Sequence, residues 1–300
     1  MSLRELAADP TLALAFALGS SAGWATLDAL RKRLGGALTA PVVVTWFSLG
    51  QIPFFAVWWW LTGGDAPGAD YWGLGLLDLA LNVAANLMFV AAVARAPLSI
   101  TVPFMAFTPV FTTAVATLLL DQRPRPLELA GIVVVVLGGL SLGLSRDASR
   151  RRILREPGVW MMLGVAALWS TTIALDTLAT RELETAPHAL IQTGGVGVVV
   201  GLYTLLRGGG RDLGGALRSH GGLVTAAALA AGIAMGLQLL ALQGLDAGHV
   251  ETQKRVIGLA AAVLVGRWLF AEPITPRKVL GVAIMAAGTA MVALGASASS

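Results

Sequence analysis

The sequence predicts an all-α integral membrane protein: ten transmembrane helices in two inverted five-helix repeats. Three observations predict it. Ten apolar stretches have spanning length, more than half of the 300 residues are hydrophobic while 13% are charged, and short motifs recur in the same order in both halves. About 30 Å of hydrocarbon takes roughly 20 apolar residues as a helix. Backbone groups cannot go unpaired in lipid, which leaves helices or a closed barrel. Barrel strands would read as short alternating segments, whereas these runs are continuous and rich in Ala, Leu, Val and Gly. An odd number of crossings per repeat turns the second copy upside down.

The first span, near residues 12–30, follows the charged opening MSLRELAADP and flows into Asp28. That pattern does not suit a cleavable signal peptide, so the span is expected to stay in the mature chain. The second, near 41–62, opens with Ala40-Pro41 and closes on Trp58, Trp59 and Trp60, residues suited to an interfacial aromatic belt. The third, near 71–93, carries Asn82 and Asn86 four residues apart on one face. The fourth, near 98–120, contains Pro103 and Pro109, each of which removes a helix hydrogen bond. The fifth covers about 127–145, and the segment 146–157 that follows is a basic, solvated linker with Arg146, Arg150, Arg151, Arg152 and Arg155.

The second half repeats the plan, with spans near 158–178, 188–206, 221–243, 249–270 and 276–295. The domains are therefore 1–145 and 158–300, joined by the linker. Leu27-Asp28-Ala29-Leu30-Arg31-Lys32-Arg33 ends the first span and Leu175-Asp176-Thr177-Leu178-Ala179-Thr180-Arg181 ends the sixth, both reading LDxLxxR. Ala40-Pro41 and Ala186-Pro187 then open the next helices. Asp121 before Pro124 and Pro126 corresponds to Glu272 before Pro273 and Pro276, and Leu-x-Gly spacing follows at Gly131 and Gly281. Proline stops one helix and starts the next at these elbows.

Ala96-Pro97-Leu98-Ser99-Ile100-Thr101-Val102-Pro103, then Thr108-Pro109-Val110-Phe111, Asp121 and Gly131 onward, with Leu168-Trp169-Ser170 and Leu175-Asp176 in the sixth span, resemble the drug/metabolite transporter superfamily, specifically its EamA-like ten-helix members. The likeness covers nearly the whole chain. It implies a secondary transporter that moves a small metabolite by alternating access, with an export direction, in the bacterial inner membrane. A lipid-linked carrier translocator is the alternative, and a non-transporting membrane sensor a more distant one.

Charges inside a span are costly and point to function. The ninth span carries Glu251, Lys254 and Arg255, spaced to share one helical face. Either Glu251 neutralises the cations in a packing network, or a cation faces a cavity and binds an anionic or zwitterionic substrate. Lys254-Arg255-Val256 followed by Pro273-Ile274-Thr275-Pro276 and Leu280-Gly281 resembles the ninth-helix pattern of the triose-phosphate translocator branch, where the Lys-Arg pair contacts phosphate. That branch also has a lysine in helix four, and no lysine lies between Pro97 and Leu120 here. Asp176 reads as the counter-ion of Lys254 or as a proton carrier, which makes protons the candidate coupling ion. Trp24, Trp169, Asn82 and Asn86 complete the expected substrate site, with Asn82 and Asn86 equally suited to joining helices. Asp28 reads as a surface salt bridge to Arg31 or Lys32.

No catalytic motif, cofactor fingerprint or metal spacing emerges; His188, His220 and His249 are scattered, and there is no cysteine. The chain is read as a non-enzyme without cofactor. Its arginines sit in short loops, where they set orientation rather than bind nucleic acid. The face holding the termini carries Arg4, Arg123, Arg125 and Arg181 and the opposite face fifteen basic residues, which by the positive-inside rule puts both termini outside. Relatives are usually drawn the other way. The expected partners are a small-molecule substrate and the lipid bilayer, with the chain a monomer or homodimer.

Overall fold

A computed structural model describes residues 7–95, 102–143, 156–270 and 274–297, and among them every regular element is a helix. Arg4, the motif from Ala96 to Thr101, the arginine linker from 146 to 155, and Glu272 with Pro273 lie outside the described residues.

Helix α1 (Pro10–Leu34) starts at Asp9, whose carboxylate accepts from the backbone N–H groups of Thr11 (2.9 Å) and Leu12 (3.0 Å). It ends on Arg31, Lys32 and Arg33, cations that suit the negative end of the helix dipole. The predicted second span is two helices, α2 (Ala40–Leu49) and α3 (Ile52–Thr62). Pro53 has no N–H to offer Leu49, so the ladder breaks; the Gln51 backbone turns to Ser48 O (3.2 Å), and its side-chain amide donates to Phe47 O (3.0 Å). Gly63 in the left-handed region (φ 66°) closes α3.

Helix α4 is Ala69–Arg95. The predicted fourth span enters as a 3-10 turn, Val102–Phe107, before α5 (Thr108–Leu119). Asp121 stands at φ 53°, which an aspartate tolerates better than most side chains, and pairs with Arg123 at 3.3 Å. Thus the acidic elbow stops a helix by a left-handed residue as well as by its prolines. Then follow α6 (Pro126–Gly143), α7 (Pro157–Glu182), α8 (Thr185–Leu206), α9 (Gly210–Ala241), α10 (Ala247–Phe270) and α11 (Pro276–Ser297). Helix α9 begins well before the predicted start near 221 and kinks at His220.

Five of these segments are long and apolar enough to cross a membrane: 40–62 taken across its break, 69–92, 157–182, 185–206 and 210–241. The stretches 104–119, 126–141 and 279–295 are shorter apolar helices. Large apolar side chains face outward, with Leu118, Leu206 and Trp268 more than three-quarters exposed, while Ser20, Thr112, Ser170 and Gln192 are buried. This inversion of the soluble pattern suits a lipid solvent.

The chain divides into two compact units, 1–87 with 175–244 and 88–174 with 245–300. Each combines helices from both sequence halves. In the first, α1 lies along α9 and α2 along α8, around Leu27, Phe47, Val200 and Ala231. A Cβ on Gly201 would meet Thr45, on Gly197 Leu49, and on Gly194 Ile52. One number falls as the other rises, so the second and seventh predicted spans run antiparallel.

In the second unit, α6 lies along α11 and α5 along α10. A Cβ on Gly131 would lie 2.5 Å from Gly288 O, and one on Gly288 would lie 2.6 Å from Gly131 O. Seven residues away, a Cβ on Gly138 would lie 2.9 Å from Gly281 O. Close backbone approach is what small residues provide between membrane helices. This pair is also antiparallel, as are α5 and α10, where Gly248 abuts Thr113 and Arg255 reaches Thr108.

Candidate functional site

Two buried polar clusters stand out, one in each unit. In the second unit, α10 presents Glu251, Lys254 and Arg255 on one face. Arg255 donates from a terminal guanidinium nitrogen to Glu251 Oε1 at 2.7 Å, and Lys254 forms an ion pair with Oε2 of the same carboxylate. Glu251 is 1% exposed, whereas the Lys254 and Arg255 side chains are 19% and 18% exposed. One carboxylate therefore serves two cations, and the set carries a net positive charge at its more accessible edge.

Helix α5 anchors this set through the proline read from the sequence. Pro109 cannot donate to Met105 O, and the Thr108 hydroxyl takes that carbonyl instead at 2.8 Å. The same hydroxyl accepts from Arg255 Nε at 3.0 Å. Ser170 of α7 donates to Thr108 O at 3.1 Å, which ties a third helix to the junction. One turn beyond Thr108, the buried Thr112 hydroxyl has no hydrogen-bond partner, and neither has Oε1 of the buried Gln253. Trp169 tilts against Phe89 with ring centroids 5.8 Å apart.

In the first unit, Asp78 of α4, Asp176 of α7 and His188 of α8 converge, all buried. His188 Nε2 lies 2.9 Å from Asp176 Oδ1 and 3.9 Å from Asp78 Oδ2, and His188 Nδ1 lies 3.0 Å from the Tyr71 hydroxyl. Both oxygens of Asp78 lack a hydrogen-bond partner. Tyr71 and Asp78, seven apart on α4, share a face with Gly75; a Cβ on Gly75 would strike the Tyr71 ring. Gln192, one turn after His188, donates to the buried Gly75 carbonyl at 2.8 Å and holds α8 against α4.

Asp176 pairs with His188, and Lys254 pairs with Glu251. His188 is therefore not an isolated histidine. Asp78, Asp176 and His188 place their donor atoms within 4.8 Å of one another, the one such group found among the described residues. A metal would have to displace hydrogen bonds there, because both imidazole nitrogens are engaged and the Nε2 to Oδ1 contact holds a proton between nitrogen and oxygen.

Of the other predicted site residues, Trp24 and Asn86 have side-chain partners within their own unit. Trp24 donates its indole N–H to Gln238 Oε1 at 3.0 Å, and Asn86 donates back to Asn82 O at 2.9 Å on its own helix. Asp28 pairs with Arg31 at 3.4 Å, as expected of the surface salt bridge. Trp60 is exposed and Trp59 donates to Gly64 O at 2.7 Å. Asp78 went unread in the sequence, although a lone carboxylate deep in the third apolar stretch is itself a signal.

No curated protein matches the chain. Among solved structures 29 chains match; one, described only as the crystal structure of a protein, aligns at a TM-score of 0.76 with 16% identity, covering 95% of this chain and 97% of that one. That likeness concerns the fold. The family model is more informative: it matches twice, at 11–143 and at 156–294. With its apolar outer surface and its polar residues held inside, the chain is a multi-pass membrane protein belonging to the EamA-like transporter family.

Proposed function

We propose that the protein is a secondary transporter of the bacterial inner membrane that moves a small anionic or zwitterionic metabolite by alternating access through two inverted five-helix repeats. Inversion is supported by the antiparallel pairing of repeat-related helices, α2 with α8 and α6 with α11. Inverted repeats of this kind build carriers whose halves rock about a shared site.

The observation that carries the substrate class is the Glu251, Lys254, Arg255 set, in which two cations share one buried carboxylate. A net single charge suits a carboxylate better than a doubly charged phosphate, and Arg255, already bonded to Glu251 and Thr108, is pre-oriented for a planar acceptor. The unpartnered Thr112 hydroxyl and Gln253 carbonyl oxygen supply further polar capacity. Trp24, Trp169, Asn82 and Asn86 belong to the proposal as residues that shape the remainder of the substrate path.

The test is counterflow in proteoliposomes with labelled amino acids, organic acids and sugar phosphates, comparing wild type with Lys254→Ala and Arg255→Ala. Exchange of a carboxylate-bearing solute is expected to fall roughly 10- to 100-fold in either variant, as loss of a charge-assisted hydrogen bond predicts. Equal exchange of uncharged solutes by all three proteins, with none of an anion, would remove the anion site.

A further inference from the structure

The carrier reading leaves the first unit's buried cluster without a role. We propose that Asp78, Asp176 and His188 form an occluded proton-binding site, loaded and emptied once per transport cycle; its use in coupling rests on the carrier reading, while its existence does not.

With His188 neutral and both aspartates ionised, the cluster would hold two negative charges among side chains that are 0–2% exposed. Among the described residues no lysine or arginine pairs with either aspartate. Uncompensated charges at such a place are too costly to persist, and protons are the compensation the residues themselves can accept. The groups facing the cluster are Tyr71 and Asp78 from α4, Asp176 from α7, and His188 with the neutral Gln192 from α8. Leu74, Ala179, Leu183 and Ile191 pack around Tyr71 and bring no charge.

Two protons make the cluster neutral. One makes His188 an imidazolium, which donates Nε2–H to Asp176 Oδ1 and Nδ1–H to the Tyr71 hydroxyl. The second sits on Asp78, whose oxygens have no partner of their own. When water gains access, Asp78 releases its proton as hydronium, and two carboxylates beside one imidazolium leave the cluster with a net charge of minus one. Rebinding from the other side restores neutrality. The exchanged group is Asp78, and the His188 imidazolium, held by Asp176, is the nearby cation that keeps its release within reach.

The purified full-length protein, in lipid, tests this by infrared difference spectroscopy across a titration from mildly acidic to mildly alkaline conditions. Wild type is expected to show the carbonyl stretch of a buried carboxylic acid that disappears on alkalinisation. Asp78→Asn should abolish it, and His188→Gln should shift its titration. Tyr71→Phe, which removes one hydrogen bond and no charge, should keep it. Lys254→Ala should keep it too, so failure of the substrate site and failure of the proton site are read separately.

In proteoliposomes, Asp78→Asn should lose accumulation driven by a pH gradient by about 10-fold or more while retaining gradient-free exchange, since one conformational equilibrium loses its proton bias. No acid band in wild type overturns the proposal, as does stoichiometric zinc or manganese bound in its place by elemental analysis. An Asp78→Asn variant that accumulates solute as wild type does removes the coupling role.

Discussion

Glu251 decides the electrostatics of α10, because it pairs with two cations from a position with almost no solvent contact. Replacing it by glutamine leaves Arg255 and Lys254 sharing a neutral amide. Removing one partner of a buried ion pair typically costs about 3–5 kcal/mol, so Glu251→Gln is expected to melt well below wild type when followed by tryptophan fluorescence in detergent. Adding Arg255→Gln should recover part of the loss by withdrawing an unpaired charge; a double variant no more stable than the single one would argue that packing, not charge, holds this face. The sequence made this triad legible because its members lie within one helical turn. Asp78 and His188 were not legible as a pair, since 110 positions separate them and tertiary packing alone brings them to 3.9 Å.

At the scale of the element, local chemistry accounts for most boundaries and for most of the differences from expectation. Proline at 53 splits the second apolar stretch, a residue whose consequence is readable; the early start of α9 is less so, because Gly214, Gly215, Gly221 and Gly222 dilute its hydropathy before the apolar run begins. The Gly131 and Gly288 contact is another tertiary fact visible in sequence merely as small residues at helical spacing. Gly131→Ala would set a methyl 2.5 Å from Gly288 O, and overpacking of this kind costs about 1–3 kcal/mol. A lower melting temperature is expected for Gly131→Ala. Gly73→Ala, whose added methyl would meet nothing within 4 Å, should melt as wild type does or slightly above. Equal behaviour of the two would remove the close crossing of α6 and α11.

For the whole molecule, the duplicated plan was the most legible feature, because LDxLxxR and the proline elbows recur in order, and the family model matches the chain twice, at 11–143 and 156–294. Inversion becomes testable with single cysteines, for which the natural absence of cysteine supplies a clean background. Arg123→Cys at the α5 to α6 elbow and Arg277→Cys at the start of α11 are expected to react with an impermeant maleimide from opposite faces of intact cells and inverted vesicles. Labelling of both from one face would undo the inverted arrangement and the carrier mechanism built on it.

The seam between α6 and α11 has a history written into it. Gly131 and Gly281 are repeat equivalents, as are Gly138 and Gly288, so exchanging the helices turns the Gly131 to Gly288 contact into the Gly281 to Gly138 contact. A pair of contacts that maps onto itself when the two helices are exchanged is isologous, the form adopted by two identical subunits around a dyad. Before the halves were joined in one gene, a five-helix ancestor could have associated with its own copy through this stripe.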